Sequence, residues 1–480
     1  MRINRYLTGR WREEGGYHEV LVIALPLILS TGSWSVQHFV DRMFLTWYSP
    51  EAIAASMPAG LLNFTVMSLF IGTASYVGTF VAQYYGARRY EKVGPAIWQG
   101  IYVAMLGAVV AAACIPFAGV FFRWIGHGGL VEEYETIFFQ VLCLGAGPVI
   151  ASSAMSGFFS GLGKTWVVMW VNIFATLVTL VGDYLLVFGH GGFPRLGIMG
   201  AGIATVLSAF FSFSVYLILF YRRSYNEKYH LLKGWRFDRA MFGRLLYFGF
   251  PNGVQFFLDV AGFTAFLFFI GRLGTTSLAA TNIAFNINTL AFMPMLGFGI
   301  ATSILVGQNL GANRPGVAEK SVYSCFHITF AYMAMVALLF AVVPDLFIDP
   351  FAAQAQAKDF AQIRQTTIVL LRFVAVYSIF DTLNIIFASA LRGAGDTRYV
   401  MIMIVFISSL VLVAPSYIAM IVLKKGIYTG WTIASAYVII LGFSFLFRFL
   451  GGKWKSMRVI EESAPSFPST IPETPTMEIH

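Results

Sequence analysis

Charge is what this sequence has least of. Asp, Glu, Lys and Arg together make up 11% of 480 residues, less than half the share of an ordinary soluble domain. Cysteine is scarcer still. The three, Cys114, Cys143 and Cys325, all fall inside apolar runs without metal-ligand spacing. They read as small buried hydrophobes, and neither a disulfide framework nor a thiolate metal site is expected. The ten-residue apolar–polar alternation of a membrane β-barrel is missing as well. No small-residue cleavage site follows the basic N-terminal stretch MRINRYLTGRWREEGG, so the apolar run behind it is expected to be retained as a first helix.

What is present is apolar length. Hydrophobic residues reach 58% and the mean hydropathy is +0.73. Continuous apolar runs of about 20 residues or more are membrane helices, since in hydrocarbon only helices and closed barrels satisfy their own backbone. Twelve are expected: 18–46, 53–83, 95–121, 134–160, 165–189, 198–221, 241–271, 277–307, 317–344, 362–390, 399–423 and 427–449. Turn chemistry separates them, as in YYGARRYEKVGP, HGGFPRLG and RGAGDTR.

The net charge of +9 would suggest nucleic acid in a soluble protein. Here the basic residues gather in alternate inter-helix segments, the densest being 222–239, which is an orientation signal. Nucleic acid is excluded, membrane lipids are the expected surroundings, and both termini are expected on the cytoplasmic side.

The chain also repeats itself. An offset of 225 positions aligns Pro26 to Arg89 with Pro251 to Arg314 without a gap, and VAQYYGARR lies on VGQNLGANR. The fold class expected is therefore an all-α membrane protein with twelve transmembrane helices in two six-helix lobes. A pseudo-twofold axis along the membrane normal relates them. The expected boundaries are an N-terminal segment 1–16, an N-lobe 17–221, a basic linker 222–240, a C-lobe 241–450 and a disordered tail 451–480. Gly86 and Gly311 occupy equivalent turns and are expected to be needed for their backbone conformation.

Polar residues inside the spans carry the function. A charge at mid-membrane is expensive and is kept where it faces a cavity or a partner. Four acids qualify: Asp41, Asp183, Asp259 and Asp381. Each lies on a polar stripe at helical spacing: Trp34, Gln37, Asp41; Asn172, Thr176, Thr179, Asp183; Asn252, Gln255, Asp259; Tyr377, Asp381, Asn384. Asn282, Asn286 and Thr289 add a fifth stripe. Such stripes must face the bundle interior. The acids are the expected cation-coupling residues. Trp34, Gln37, Asn172, Thr179, Gln255, Asn282, Asn286, Tyr377 and Asn384 are the expected cavity and substrate contacts. Asp41 next to Arg42 leaves a structural ion pair open, although adjacent helical residues point about 100° apart. GLGKT lacks the first glycine of a phosphate loop, which leaves no case for ATP. No nucleophile–base pair, zinc motif or paired-acid diphosphate motif argues for an enzyme.

These residues resemble the multidrug and toxic compound extrusion (MATE) transporters, most closely the NorM-like bacterial branch. The carriers are ALPLILSTGSWSVQHFVDRMFL, VAQYYGARRYEKVG, FPNGVQFFLDVAGF, VGQNLGANR and VYSIFDTLNIIFASALRGAGDTRY. Together they span essentially residues 17–450. The resemblance implies a monomeric exporter in the bacterial inner membrane. It would exchange cationic or amphipathic small molecules for H⁺ or Na⁺ without a cofactor. It places the family's first-helix acid on Asp41, its helix 5 acid on Asp183 and its helix 7 acid on Asp259. Its helix 10 acid and tyrosine fall on Asp381 and Tyr377, with Na⁺ possible at Asp259 and Asp381. A lipid or oligosaccharide-lipid flippase of related fold is the alternative. The acidic interior weighs against it, because a pyrophosphate cargo calls for cations.

Overall fold

The computed structural model describes residues 10–352 and 357–461. Among these residues, eleven helices are long and apolar enough to cross a membrane. The twelfth crossing is a bent pair, Gly129–Leu144 and Ala146–Gly161, meeting at 46°. In chain order the spans are α1 Tyr17–Tyr48, α2 Pro50–Gly86, α3 Tyr90–Ile125, α4 the bent pair, α5 Thr165–Phe188 and α6 Ile198–Tyr221. The second six are α7 Arg239–Gly271, α8 Thr275–Gly311, α9 Pro315–Val342, α10 Phe360–Ala394, α11 Thr397–Val422 and α12 Ile427–Leu450. The protein is thus a multi-pass membrane protein of two six-helix lobes.

Local chemistry sets the ends of these spans. Ser49 caps α2 by accepting from the Ala52 amide at 3.0 Å, with Pro50 in the first turn. Asp238 caps α7 by accepting from the Ala240 and Met241 amides. Gly126 and Gly189, at φ 82° and 77°, stop α3 and α5 in the left-handed conformation. α11 is irregular: two wide, π-helical stretches, Ser408–Val413 and Tyr417–Val422, interrupt it.

The lobes interlock. The lower half of α1, next to the N-terminus, buries Val20, Ile23, Ala24 and Leu27 in a core otherwise made by α8, α9, α10, α11 and α12 together with Trp454. The equivalent part of α7 buries Met241 and Leu245 in the core of α2, α3, α4, α5 and α6. Further up, α1 returns to its own lobe and packs on α5. Close approach makes the crossings possible: a Cβ on Gly253 would meet the Leu69 carbonyl at 2.3 Å, and one on Gly297 would meet the Ile28 amide at 2.8 Å.

The glycines of the repeated turn work differently from expectation. Neither Gly86 nor Gly311 has a positive φ. The left-handed residues lie two positions on, at Arg88 and Asn313, both at φ 58°. Gly86 and Gly311 are needed because the ends of α2 and α8 touch backbone to backbone. A Cβ on Gly86 would lie 1.9 Å from the Gln308 carbonyl oxygen, and one on Gly311 2.1 Å from that of Gln83.

Two segments read as linker and tail are packed. The 222–240 stretch folds as a short helix, Arg223–Tyr229, and a turn, Lys233–Trp235. It lies along α3, where Trp98 Nε1 donates to the Leu231 carbonyl at 2.6 Å. Of the 451–480 stretch expected to be disordered, residues up to Glu461 are ordered against both lobes, with Trp454 and Val459 fully buried. The remainder, like residues 1–9, lies outside the described residues.

The linker provides a test of orientation. Ser224 is exposed, so Ser224→Cys in intact cells is expected to resist a membrane-impermeant thiol reagent and to react after permeabilisation. Ready labelling from outside would reverse the topology.

Candidate functional site

Among the described residues, every hydrogen bond, ion pair and ring contact between the lobes lies between the face that carries the termini and about mid-membrane. The uppermost are Thr31 Oγ1 to the Met293 carbonyl (3.0 Å), Asn252 Nδ2 to the Gly72 carbonyl (2.7 Å) and the edge-on rings of Phe64 and Phe256 (5.5 Å). Beyond them, among the described residues, no such contact joins the two lobes.

In the N-lobe, α1 and α5 bring Asp41 and Asp183 against each other. Asp41 lies seven and Asp183 five residues from the far ends of their helices, roughly 10 and 8 Å along the axis, so their depths are similar, as the stripes imply. Asp183 is 1% exposed, and neither of its carboxyl oxygens accepts a hydrogen bond; nor does Asp41 Oδ1. Two facing carboxyl groups have four acceptors and no donor unless a proton or another cation sits between them. A cation there is attracted by both at short range in a poorly screened setting. Among the described residues no ion pair joins Asp41 to Arg42; Arg42 and His38 stand near enough to influence it but leave its carboxylate unneutralised. The structural Asp41–Arg42 pair is therefore absent.

The rest of that lobe's stripe separates by role. Asn172 lies eleven positions before Asp183, about 16 Å along the helix. It donates to Ser30 Oγ at 2.5 Å, tying α5 to α1, and so stands apart from the acids. Thr179 is fully buried and donates to the Ala175 carbonyl at 3.2 Å, a bond within its own helix. Gln37 is half-buried one turn from Asp41, and Trp34, a further turn away on the same stripe, is 52% exposed.

In the C-lobe, α7 and α10 bring Asp259 and Asp381 into one electrostatic neighbourhood. Asp381 is buried and accepts from Asn384 Nδ2 at 3.0 Å. Asp259 is exposed although Gln255, Asp381, Arg392 and Tyr437 surround it. Gln255, a turn before it, is buried, and Tyr377 is buried a turn before Asp381. On α8, Asn286 is exposed and donates to the Asn282 carbonyl at 2.8 Å. Its neighbours build an aromatic wall: Trp431 stacks on Phe285 at 5.0 Å, with Phe266 and Tyr377 near its edges. Among the described residues no group of three His, Cys, Asp or Glu assembles. A cation here would draw on carboxylates together with amide, hydroxyl and backbone oxygens, the ligand type suited to a hard ion.

Sequence reasoning missed two residues. Arg392 counts as a loop cation by position, yet it lies inside α10. Its Nη2 donates to Ser389 Oγ at 2.8 Å, and its charge acts on Asp259 without forming an ion pair. Tyr437 reaches the same acids from α12. A tyrosine in an apolar helix carries no signal of this. The Arg392 signal was available, since it follows Asp381 by three turns on the same helix.

Two six-helix lobes related by an internal repeat, each holding a pair of acids inside its spans, define a membrane transporter that works by rearranging its lobes. The comparisons narrow this class. The MatE family model matches twice, over residues 26–185 and 251–418, and its two copies coincide with the internal repeat. The chain belongs to the MatE family. It is 28% identical over 383 residues to the "Probable multidrug resistance protein NorM" of Burkholderia pseudomallei, covering 79% of this chain and 81% of that protein. It is 27% identical over 406 residues to the multidrug resistance protein PmpM of Pseudomonas aeruginosa, covering 81% and 80%. Among solved structures it shares its fold with a multidrug resistance MATE family transporter of the MOP superfamily in an outward-facing conformation. That likeness has a TM-score of 0.83 and 18% identity, covering 93% of this chain and 98% of the other. The eukaryotic MATE transporter AtDTX14 aligns with a TM-score of 0.81 and 19% identity, covering 91% and 96%.

Proposed function

We propose that the protein is a secondary active multidrug exporter. It moves cationic or amphipathic small molecules out of the cytoplasm in exchange for H⁺ or Na⁺, by alternating access of the cleft. The observation that carries this reading is the pair of acidic sites, Asp41 with Asp183 and Asp259 with Asp381, each on its own lobe and, among the described residues, none of the four in an ion pair. The names of the NorM and PmpM relatives support the drug-exporting half of it. The acids would bind the driving ion. Exposed Trp34 and Asn286 would offer a guest a flat apolar surface and an amide, and a cationic guest gains further from aromatic faces.

In the bacterial inner membrane, with termini cytoplasmic, lobes that touch only from the termini's face to about mid-membrane would open a cleft outward. The driving ion then loads on Asp41 and Asp183 from outside. Loading relieves the mutual repulsion of the carboxylates, and that change in free energy can bias one lobe arrangement over the other. Asp381, fixed by Asn384, and Asp259, balanced by Arg392, make the second site. Substrate and ion need not meet, since each acts on the same lobe equilibrium.

The test is purified protein in liposomes, with pH and sodium gradients imposed separately and a fluorescent cation as cargo. One gradient is expected to drive the dye uphill and the other to do little. Failure of both gradients to move any cationic dye would sink the exporter reading.

A further inference from the structure

The segment after α12 is rooted on the C-lobe, where Trp454 packs, and ends in the N-lobe. Val459 is fully buried and Ile460 nearly so, both within the N-lobe core. The Val459 amide donates to Gln83 Oε1 at 2.8 Å, while Gln83 Nε2 donates to the Gly393 carbonyl at 3.0 Å. One buried side chain of α2 thus holds both α10 and the segment. Glu461 follows and closes the connection. Its carboxylate pairs with Arg89 at 3.3 Å and Arg244 at 2.5 Å and accepts from Tyr84 Oη at 3.0 Å; its carbonyl accepts from Arg89 Nη1 at 3.0 Å. Burial pushes the Glu461 carboxyl up, but its hydrogen bonds and the two guanidiniums outweigh that and hold it below the usual carboxylate range.

The repeat gives this arrangement a counterpart. Arg314 stands where Arg89 stands in the other half, and it pairs with Glu14 of the N-terminal segment at 2.9 Å. Each lobe's turn arginine therefore receives a carboxylate from the chain terminus that belongs to the other lobe. All of this lies on the face where Gly86 and Gly311 bring the lobes into backbone contact.

We propose that residues 453–461 form a clasp that holds the two lobes closed on the face carrying the termini, and that Val459, Ile460 and Glu461 must leave the N-lobe before the cleft can open there. A segment rooted on one lobe and buried in the other cannot keep both attachments when the lobes separate. Its binding free energy is therefore added to the closed arrangement and absent from the open one. The inference rests on the alternating-access reading, but its test needs no transport.

Spin labels on Glu91→Cys and Gly316→Cys, exposed positions on opposite lobes of that face, report the separation of the lobes without substrate or gradient. The background has the three native cysteines replaced by alanine. The full chain and a chain ending at Glu461 are expected to give the same short distance. A chain ending at Arg458 is expected to shift at least half of the population to a longer one. Full-length Glu461→Lys keeps every apolar contact but sets a like charge against Arg89 and Arg244. It is expected to shift the population the same way, and it decides the matter if the shortened chain fails to fold. An unchanged distance distribution in Glu461→Lys, or in a folded chain ending at Arg458, would overturn the clasp whatever the protein exports.

Discussion

Asp41→Asn is expected to abolish ion-driven efflux, lowering gradient-coupled transport at least tenfold, while folded yield and thermal stability stay at or above those of the parent. The carboxylate stands against Asp183 with no donor between them. An amide in its place gives the pair a donor and removes the repulsion, so the fold loses nothing. The cation site loses half of its charge. Asp183→Asn is expected to act through the same contact, and the double variant should be no worse than the more severe single one, since interacting residues are not additive. Efflux measured in liposomes beside a melting curve checks this. Additive losses would mean that the two acids serve separate steps. Transport restored by combining Asp41→Asn with Arg42→Gln would revive the ion pair that the geometry excludes.

Gly311→Ala should be nearly as damaging, for a reason unrelated to ions. A single methyl group there would lie 2.1 Å from the Gln83 carbonyl oxygen and 2.8 Å from its carbonyl carbon and Cα. These are backbone atoms of a packed helix end and cannot turn aside as a side chain could. Overpacking a well-filled interior costs about 1–3 kcal/mol, and contact with a rigid backbone belongs at the upper end. Folded, monodisperse yield is expected to fall severalfold, and Gly86→Ala should match it through the Gln308 carbonyl. Gly316→Ala, a few residues along and with nothing within 4 Å of its would-be Cβ, is the control and should be neutral. Equal yields for Gly311→Ala and Gly316→Ala would remove close approach as the reason for the glycine.

What the sequence determined by itself is whatever repeats at short range or at a fixed offset. Twelve apolar runs became twelve crossings because each helix satisfies its own backbone and hydrocarbon demands little else. The two-lobed plan could be read from the offset of 225, since equal sequences fold into equal units. The stripes showed that Asp41, Asp183, Asp259 and Asp381 look inward, because helical periodicity places side chains on a face without reference to any neighbour. Which face meets which was decided only by the tertiary structure. It put Asp41 against Asp183 but left Asn172 at another depth on the same stripe, bonded to Ser30. It drew Arg392 and Tyr437 toward Asp259 from helices that carry no local sign of it. It turned Gly86 and Gly311 from turn residues into points of contact between helix ends, and it packed Val459 into a core more than two hundred residues away in sequence. The last two depend on how the lobes interlock, the first two on how distant helices of one lobe pack. Interlocking is settled by packing between segments distant in the chain, and no window of sequence contains both sides of such a contact.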